Sequence, residues 1–132
     1  MTKSHYLLDT DVLIDWLRGE SWVKDLIWSP ERQLYCSSIT RKELLSMRGL
    51  TASERRKIFR LLRLVRVLNV EATIAAAASE LLEKYRPRGL QVGDALVAAT
   101  AWIKSLPLIT RNRRHYEFIA EIELATWLPE ED

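Results

Sequence analysis

Short apolar runs recur along this chain, and each is followed by a segment with helical spacing. Residues 5–8, 33–37, 66–70 and 107–110 read as strands, with a weaker one at 122–127. Strands that alternate with helices call for crossover connections, which build a parallel sheet covered by helices on both faces. The expected fold class is therefore α/β, an α/β/α sandwich around a mostly parallel sheet of four to five strands.

The helices follow from the same pattern. Val12, Leu13, Trp16 and Leu17 share one face of a first helix that Gly19 closes. Trp22, Leu26 and Ile27 mark a second, stopped near Pro30. A third is expected over 40–48, capped by Thr40 or Ser38 and ended by Gly49. Ile58, Leu61, Leu62 and Val65 give an amphipathic helix from Thr51 to about Val65, with Ser53 as its cap. An alanine-rich helix from about Glu71 to Tyr85 must break before Pro87, and 86–92 is a loop. An apolar helix spans Asp94 to Ser105, and a short last one 113–119.

At 132 residues, with no linker or repeat, residues 1–132 read as one domain. Apolar residues at 48% and charged residues at 29% exclude a disordered chain. Runs such as Ile74 to Ala78 or Ala95 to Trp102 are far shorter than the roughly 20 residues that span a bilayer, so no membrane association is expected. Cys36 is the single cysteine, which rules out an internal disulfide and suits a reducing cytoplasm. A net charge of +2 is too small to argue nucleic-acid binding by itself. Yet 14 of the 20 cations are arginine, the better partner for phosphate.

In parallel sheets ligands bind beyond the carboxyl ends of the strands, which selects the polar residue after each one. Asp9 follows the first strand, and Glu43 lies one helical turn past the second. Asp94 opens a later helix, and Asn112 follows residues 107–110. Three acids meeting next to a core repel one another and are costly to desolvate. A divalent cation relieves both problems, and all-oxygen ligands favour Mg²⁺ or Mn²⁺. Zinc is disfavoured because His5, His115 and Cys36 lack ligand spacing. Such a site suits metal-assisted phosphodiester hydrolysis. The plainer alternative is that Asp9 and Asp94 each cap a helix.

These residues carry a resemblance. Tyr6-Leu7-Leu8-Asp9-Thr10-Asp11-Val12-Leu13-Ile14 resembles the opening motif of PIN-domain proteins, and Ser38-Ile39-Thr40-Arg41-Lys42-Glu43-Leu44 their second. Gly93-Asp94-Ala95-Leu96-Val97-Ala98-Ala99-Thr100-Ala101 is similar to the third, and Leu108-Ile109-Thr110-Arg111-Asn112-Arg113-Arg114-His115-Tyr116 to the fourth. The size suits the VapC-type toxins of toxin–antitoxin pairs. The resemblance implies a Mg²⁺- or Mn²⁺-dependent endoribonuclease, commonly dimeric and inhibited by a cognate antitoxin received in a groove of the early helices. Asp9 and Asp94 correspond to the family's principal metal ligands and Glu43 to its third acid. Asn112 stands where many members have aspartate; an amide oxygen can coordinate but adds no charge. Asp11, two residues after Asp9, is either an auxiliary carboxylate or a surface or helix-start residue. Thr10 and Thr110 would orient ligands through their hydroxyls or cap backbone.

A haloacid-dehalogenase reading of Asp9-Thr10-Asp11-Val12-Leu13 fails, because no acidic pair follows Thr110 in a strand context and Ala98 fills the partner acid's place. Two further alternatives are a catalytically silent RNA-binding module and a purely structural partner. Arg111, Arg113 and Arg114 beside the metal site are the expected RNA contacts. Arg56, Arg60 and Arg63 share a helix face that serves RNA or merely solvent. Trp16 and Trp102 read as core, whereas Trp22 and Trp28 suggest an exposed partner surface. The small residues of helix 94–105 suit close packing inside the monomer or between copies, and Cys36 reads as a buried small hydrophobe.

Overall fold

Side chains of a strand alternate between the two faces of a sheet, and here that alternation sorts the core into two halves. The computed structural model describes residues 3–126. In chain order it runs β1 (Ser4–Leu8), α1 (Thr10–Leu17), α2 (Ser21–Trp28), β2 (Arg32–Ser37), α3 (Ser38–Leu45) and α4 (Ala52–Leu62). Next come β3 (Arg66–Leu68), α5 (Ala72–Lys84), α6 (Val92–Lys104) and β4 (Leu108–Ile109). Leu7, Tyr35, Leu68 and Leu108 face α5 and α6, while Leu8, Leu34, Cys36, Val67 and Ile109 face α1 to α4. The result is the expected three-layer sandwich.

The sheet is parallel throughout, in the order β3-β2-β1-β4. The chain lays β2 and β3 to one side of β1, then returns to place β4 on the other. The reversal between β1 and β4 is the point at which such sheets open a crevice. Register there pairs Leu7 with Leu108 and Leu8 with Ile109. The residues that follow these strands, Asp9 and Thr110, are thereby set side by side.

Several helix ends differ from expectation. Gly19 closes α1 in the left-handed region at φ 78°, as its position after the last apolar residue requires. The cap of α3 is Ser37, whose hydroxyl accepts from Ile39 N at 3.2 Å, and the helix stops at Leu45 rather than 48. Thr51, not Ser53, caps α4, in a reciprocal box with Glu54 that satisfies two backbone N–H groups at once. Among several cap-capable residues in a row, the one whose partner lies three positions on wins. The loop after α5 contains a 3-10 turn, Arg86–Arg88. Only Arg113–His115 of the expected last helix is helical, again as a 3-10 turn. The weak last strand is a single parallel bridge from Leu124 to Leu108, held by Leu108 N to Glu123 O at 2.9 Å and Ala125 N to Leu108 O at 2.8 Å. Residue 127 of that segment lies outside the described residues.

Candidate active site

Asp9 continues the extended backbone of β1 at φ −74° and ψ 162° before the chain turns into α1. Period-2 alternation therefore sends its side chain to the face of Leu7, where α6 packs. Thr110 stands on the same face as Leu108, beside it. Asp94 lies in the first turn of α6 and points back to the same edge. Three segments far apart in the chain are brought to one rim because strand ends and a helix start share it.

Each carboxylate oxygen of the central pair is held by one donor. Oδ1 of Asp9 accepts from Thr10 N at 2.9 Å, and Oδ2 accepts from the Thr110 hydroxyl at 2.9 Å. Asp9 thus caps α1 with one oxygen only. Oδ1 of Asp94 accepts from the Tyr116 hydroxyl at 3.1 Å, and Nδ1 of His115 lies 3.2 Å from its Oδ2. Asp94 caps no helix among the described residues; the N-cap of α6 is Gln91. Asp11, half-buried rather than on the surface, accepts from Arg111 N at 2.8 Å and Asn112 N at 3.1 Å through Oδ2. Its Oδ1 is buried without a partner among the described residues.

The electrostatics are one-sided. Burial, then the charge of Asp11, push the Asp9 carboxyl from 3.8 up to about 6, against the bonds from Thr110 and Thr10; the charge of Asp94 adds to the rise. Burial likewise raises Asp11, against its backbone bonds. No lysine or arginine pairs with Asp9, Asp11, Glu43 or Asp94 among the described residues. A chain with 20 cations pairs buried Asp15 with Arg111 yet leaves buried Asp9 without a basic partner among the described residues. Oxygen donors that are desolvated, mutually repelling and short of a counter-charge fit a hard divalent cation.

Glu43 is exposed on α3, with Oε1 3.5 Å from where a Cβ on Gly93 would stand. It borders the residue before Asp94. Among the described residues no three His, Cys, Asp or Glu side chains draw together tightly enough to cage an ion. Asp9 and Asp94 form a pair, and Glu43 is a neighbour on the rim instead of a third member of a closed cluster. The Thr10 hydroxyl turns away to donate to Thr40 at 3.1 Å, tying α1 to α3, while Thr110 does bear on a rim acid. Asn112 has its N–H bonded to Thr110 Oγ1 at 3.0 Å and an exposed side chain.

The basic residues divide by role. Arg111 is clamped to buried Asp15 at 2.8 Å, and Asp15 also accepts from Trp22 Nε1 at 3.1 Å. Trp22 is consequently half-buried, not part of an exposed patch. Arg113 donates to Ala125 O at 3.0 Å, and Arg114 is exposed. His115, set aside in the sequence as a zinc ligand, and Tyr116, which nothing in the sequence singled out, both bear on Asp94. The signal that could have found Tyr116 is its hydroxyl: a phenol in an apolar setting needs a partner.

A groove of about 590 Å³ opens where α1, α2 and α4 meet, lined by Trp16, Leu17 and Leu64, by Trp28 at 63% exposure, and by Lys57, Arg60 and Arg63. Arg56 is exposed outside it. Ala95, Ala98, Ala99 and Ala101 are buried in the monomer core on α6. Among the described residues no helix is long and apolar enough to cross a membrane.

The PIN domain family matches residues 6–120. The chain is 34% identical over 121 residues to "Ribonuclease VapC10" of Mycobacterium tuberculosis, covering 89% of this chain and 90% of that one. It is 28% identical to "Ribonuclease VapC1" of Methanocaldococcus jannaschii, covering 92% and 86%. Among solved structures it is similar to a toxin–antitoxin complex from Klebsiella pneumoniae, with a TM-score of 0.73, 28% identity and coverage of 89% and 94%. The fold also matches DNA-bound VapBC from Salmonella typhimurium, with a TM-score of 0.81 at 21% identity, covering 97% of this chain and 100% of that one.

Proposed function

This chain belongs to the PIN-domain family, and from that premise we propose that it is the toxin of a type II toxin–antitoxin pair, a divalent-metal-dependent endoribonuclease acting in the cytoplasm. Curated relatives named as ribonucleases and neighbours solved as toxin–antitoxin complexes support this. The observation that carries the chemistry is the pair Asp9 and Asp94, oriented oxygen by oxygen yet without a lysine or arginine partner among the described residues.

In this reading Asp9 and Asp94 hold Mg²⁺ or Mn²⁺, with Glu43 completing the ligands or orienting the attacking water. Bound there, such an ion activates water and stabilises charge at the phosphate and the leaving oxygen. Glu43, exposed at the rim and without a hydrogen-bond or ion-pair partner among the described residues, accepts the proton of the attacking water in this reading. Thr110 fixes the Asp9 carboxylate, and Asp11 fixes the backbone of 111–112 through two N–H bonds. Asn112 offers an amide at the rim. Arg114, exposed beside it, meets RNA phosphates, with Arg113 and the outer edge of Arg111 as supporting contacts.

The groove of α1, α2 and α4 is assigned to the antitoxin. Its aromatic and leucine walls beside Lys57, Arg60 and Arg63 suit an amphipathic segment with acidic residues. A homodimer is assigned as well, to be read by light scattering in solution.

The test is cleavage of RNA by the purified chain. Cleavage is expected with Mg²⁺ or Mn²⁺, to be lost in EDTA, and to fall at least a hundredfold in Asp9→Asn and Asp94→Asn with RNA binding retained. RNA binding without cleavage under every metal condition would instead make the chain a silent RNA-binding module.

A further inference from the structure

Tyr116 is among the largest side chains with no solvent exposure at all. It follows directly on the 3-10 turn Arg113–His115, and its backbone is pinned on both sides. Tyr116 N bonds Arg113 O at 3.0 Å, and Ile119 N bonds Tyr116 O at 2.9 Å. Arg113 ties the same turn to Ala125 O at 3.0 Å. A ring held this firmly has its hydroxyl set in one place. That place is Oδ1 of Asp94, 3.1 Å away, with the Asp9 carboxylate also facing it.

Asp94 needs such a hold. It sits in the first turn of α6 with its side chain 27% exposed and, among the described residues, without a basic partner apart from His115. Its own helix does not fix the carboxylate, since the capping position is Gln91. His115 reaches the other oxygen, but its ring is 56% exposed and shares its contacts with solvent. Each carboxylate oxygen has a second lone pair, so one donor orients it without consuming its capacity to bind a cation. Thr110 and the Thr10 N–H do for Asp9 what Tyr116 and His115 do for Asp94.

We propose that Tyr116 is a positioning residue for the metal site: its buried hydroxyl fixes the Asp94 carboxylate facing Asp9, so that the pair is prearranged for a divalent cation. This rests on the metal-binding reading of Asp9 and Asp94 above. A merely structural phenol would use Asp94 as a convenient acceptor and influence stability alone. A positioning phenol influences cation affinity, where loss of an outer partner typically costs 10- to 100-fold.

Tyr116→Phe keeps the ring and removes the oxygen. Tyr85→Phe is the control, since Tyr85 belongs to the same half of the core but donates to Glu121, away from the rim. Mn²⁺ affinity of the full chain is read by electron paramagnetic resonance, with thermal midpoints taken in EDTA. Tyr116→Phe is expected to bind Mn²⁺ about tenfold more weakly or worse, with Tyr85→Phe matching wild type and both variants folded. Affinity of Tyr116→Phe within twofold of wild type, or an equal loss in Tyr85→Phe, overturns the positioning role and leaves the metal site standing. Absence of Mn²⁺ binding by wild type overturns the metal site and the positioning role together.

Discussion

The hydroxyl of Thr110 donates to Oδ2 of Asp9 at 2.9 Å, although 101 positions separate the two residues. Sheet register creates this contact: Leu8 pairs with Ile109, and the next residue of each strand faces the same side. Hydrogen bonds to a buried ionised group contribute about 1.5–3 kcal/mol. Thr110→Val is therefore expected to destabilise the metal-free chain by about that amount at pH 8. At pH 5, where Asp9 is mostly protonated, the loss should be smaller. Urea unfolding at the two pH values measures the difference.

Asp9 itself lowers stability in the absence of metal. Its pKa is raised from 3.8 to about 6, so between those values the folded chain holds a proton that the unfolded chain has released. Stability then falls as pH rises through that window, and above it the full cost of about 3 kcal/mol is present. In EDTA, Asp9→Asn should stabilise the chain by up to about 3 kcal/mol at pH 7.5 and by almost nothing below pH 4. Equal stability of variant and wild type at pH 7.5 would contradict the unneutralised rim.

The two kinds of arginine beside the site should separate. Removing Arg111 leaves buried Asp15 with only the Trp22 N–H among the described residues, whereas Arg114 is exposed. Because the Arg111 side chain is 51% exposed, solvent screening limits the pair to a modest figure. Arg111→Ala is expected to lower stability by about 1–2 kcal/mol, and Arg114→Ala by less than about 0.5 kcal/mol. RNA affinity should fall in Arg114→Ala, more steeply at low salt.

Cys36 should be inert while the chain is folded. Burial pushes its thiol from 9.0 up to about 12, with the Arg41 charge opposing weakly, so almost no thiolate forms at neutral pH. Labelling by a disulfide reagent is expected only after unfolding, and rapid labelling of the native chain would refute the buried assignment.

The acids of the rim were legible because they break apolar context, at a strand end for Asp9 after Leu7-Leu8 and at a helix start for Asp94 before Ala95-Leu96-Val97. Parallel-sheet topology then required them to share an edge. Glu43 was legible by position but not by distance, since a residue over a turn into α3 depends on how that helix tilts against α6. Tyr116 and His115 were hidden because 113–119 carries helical spacing, while the chain forms only a 3-10 turn that folds the phenol inward. The clamp between Arg111 and Asp15 was equally hidden, as periodicity makes Asp15 an outward residue of α1. It is buried because Trp22 of α2 and Arg111 cover it. The last strand shrank to a bridge because β4 offers it only two residues to pair with.

Calorimetric titration of Mn²⁺ into wild type, Asp9→Asn and Asp94→Asn bears most directly on whether the rim holds a divalent cation. Wild type is expected to bind with a well-defined stoichiometry, and each variant at least tenfold more weakly. Absence of binding by wild type, or undiminished binding by both variants, would contradict the account.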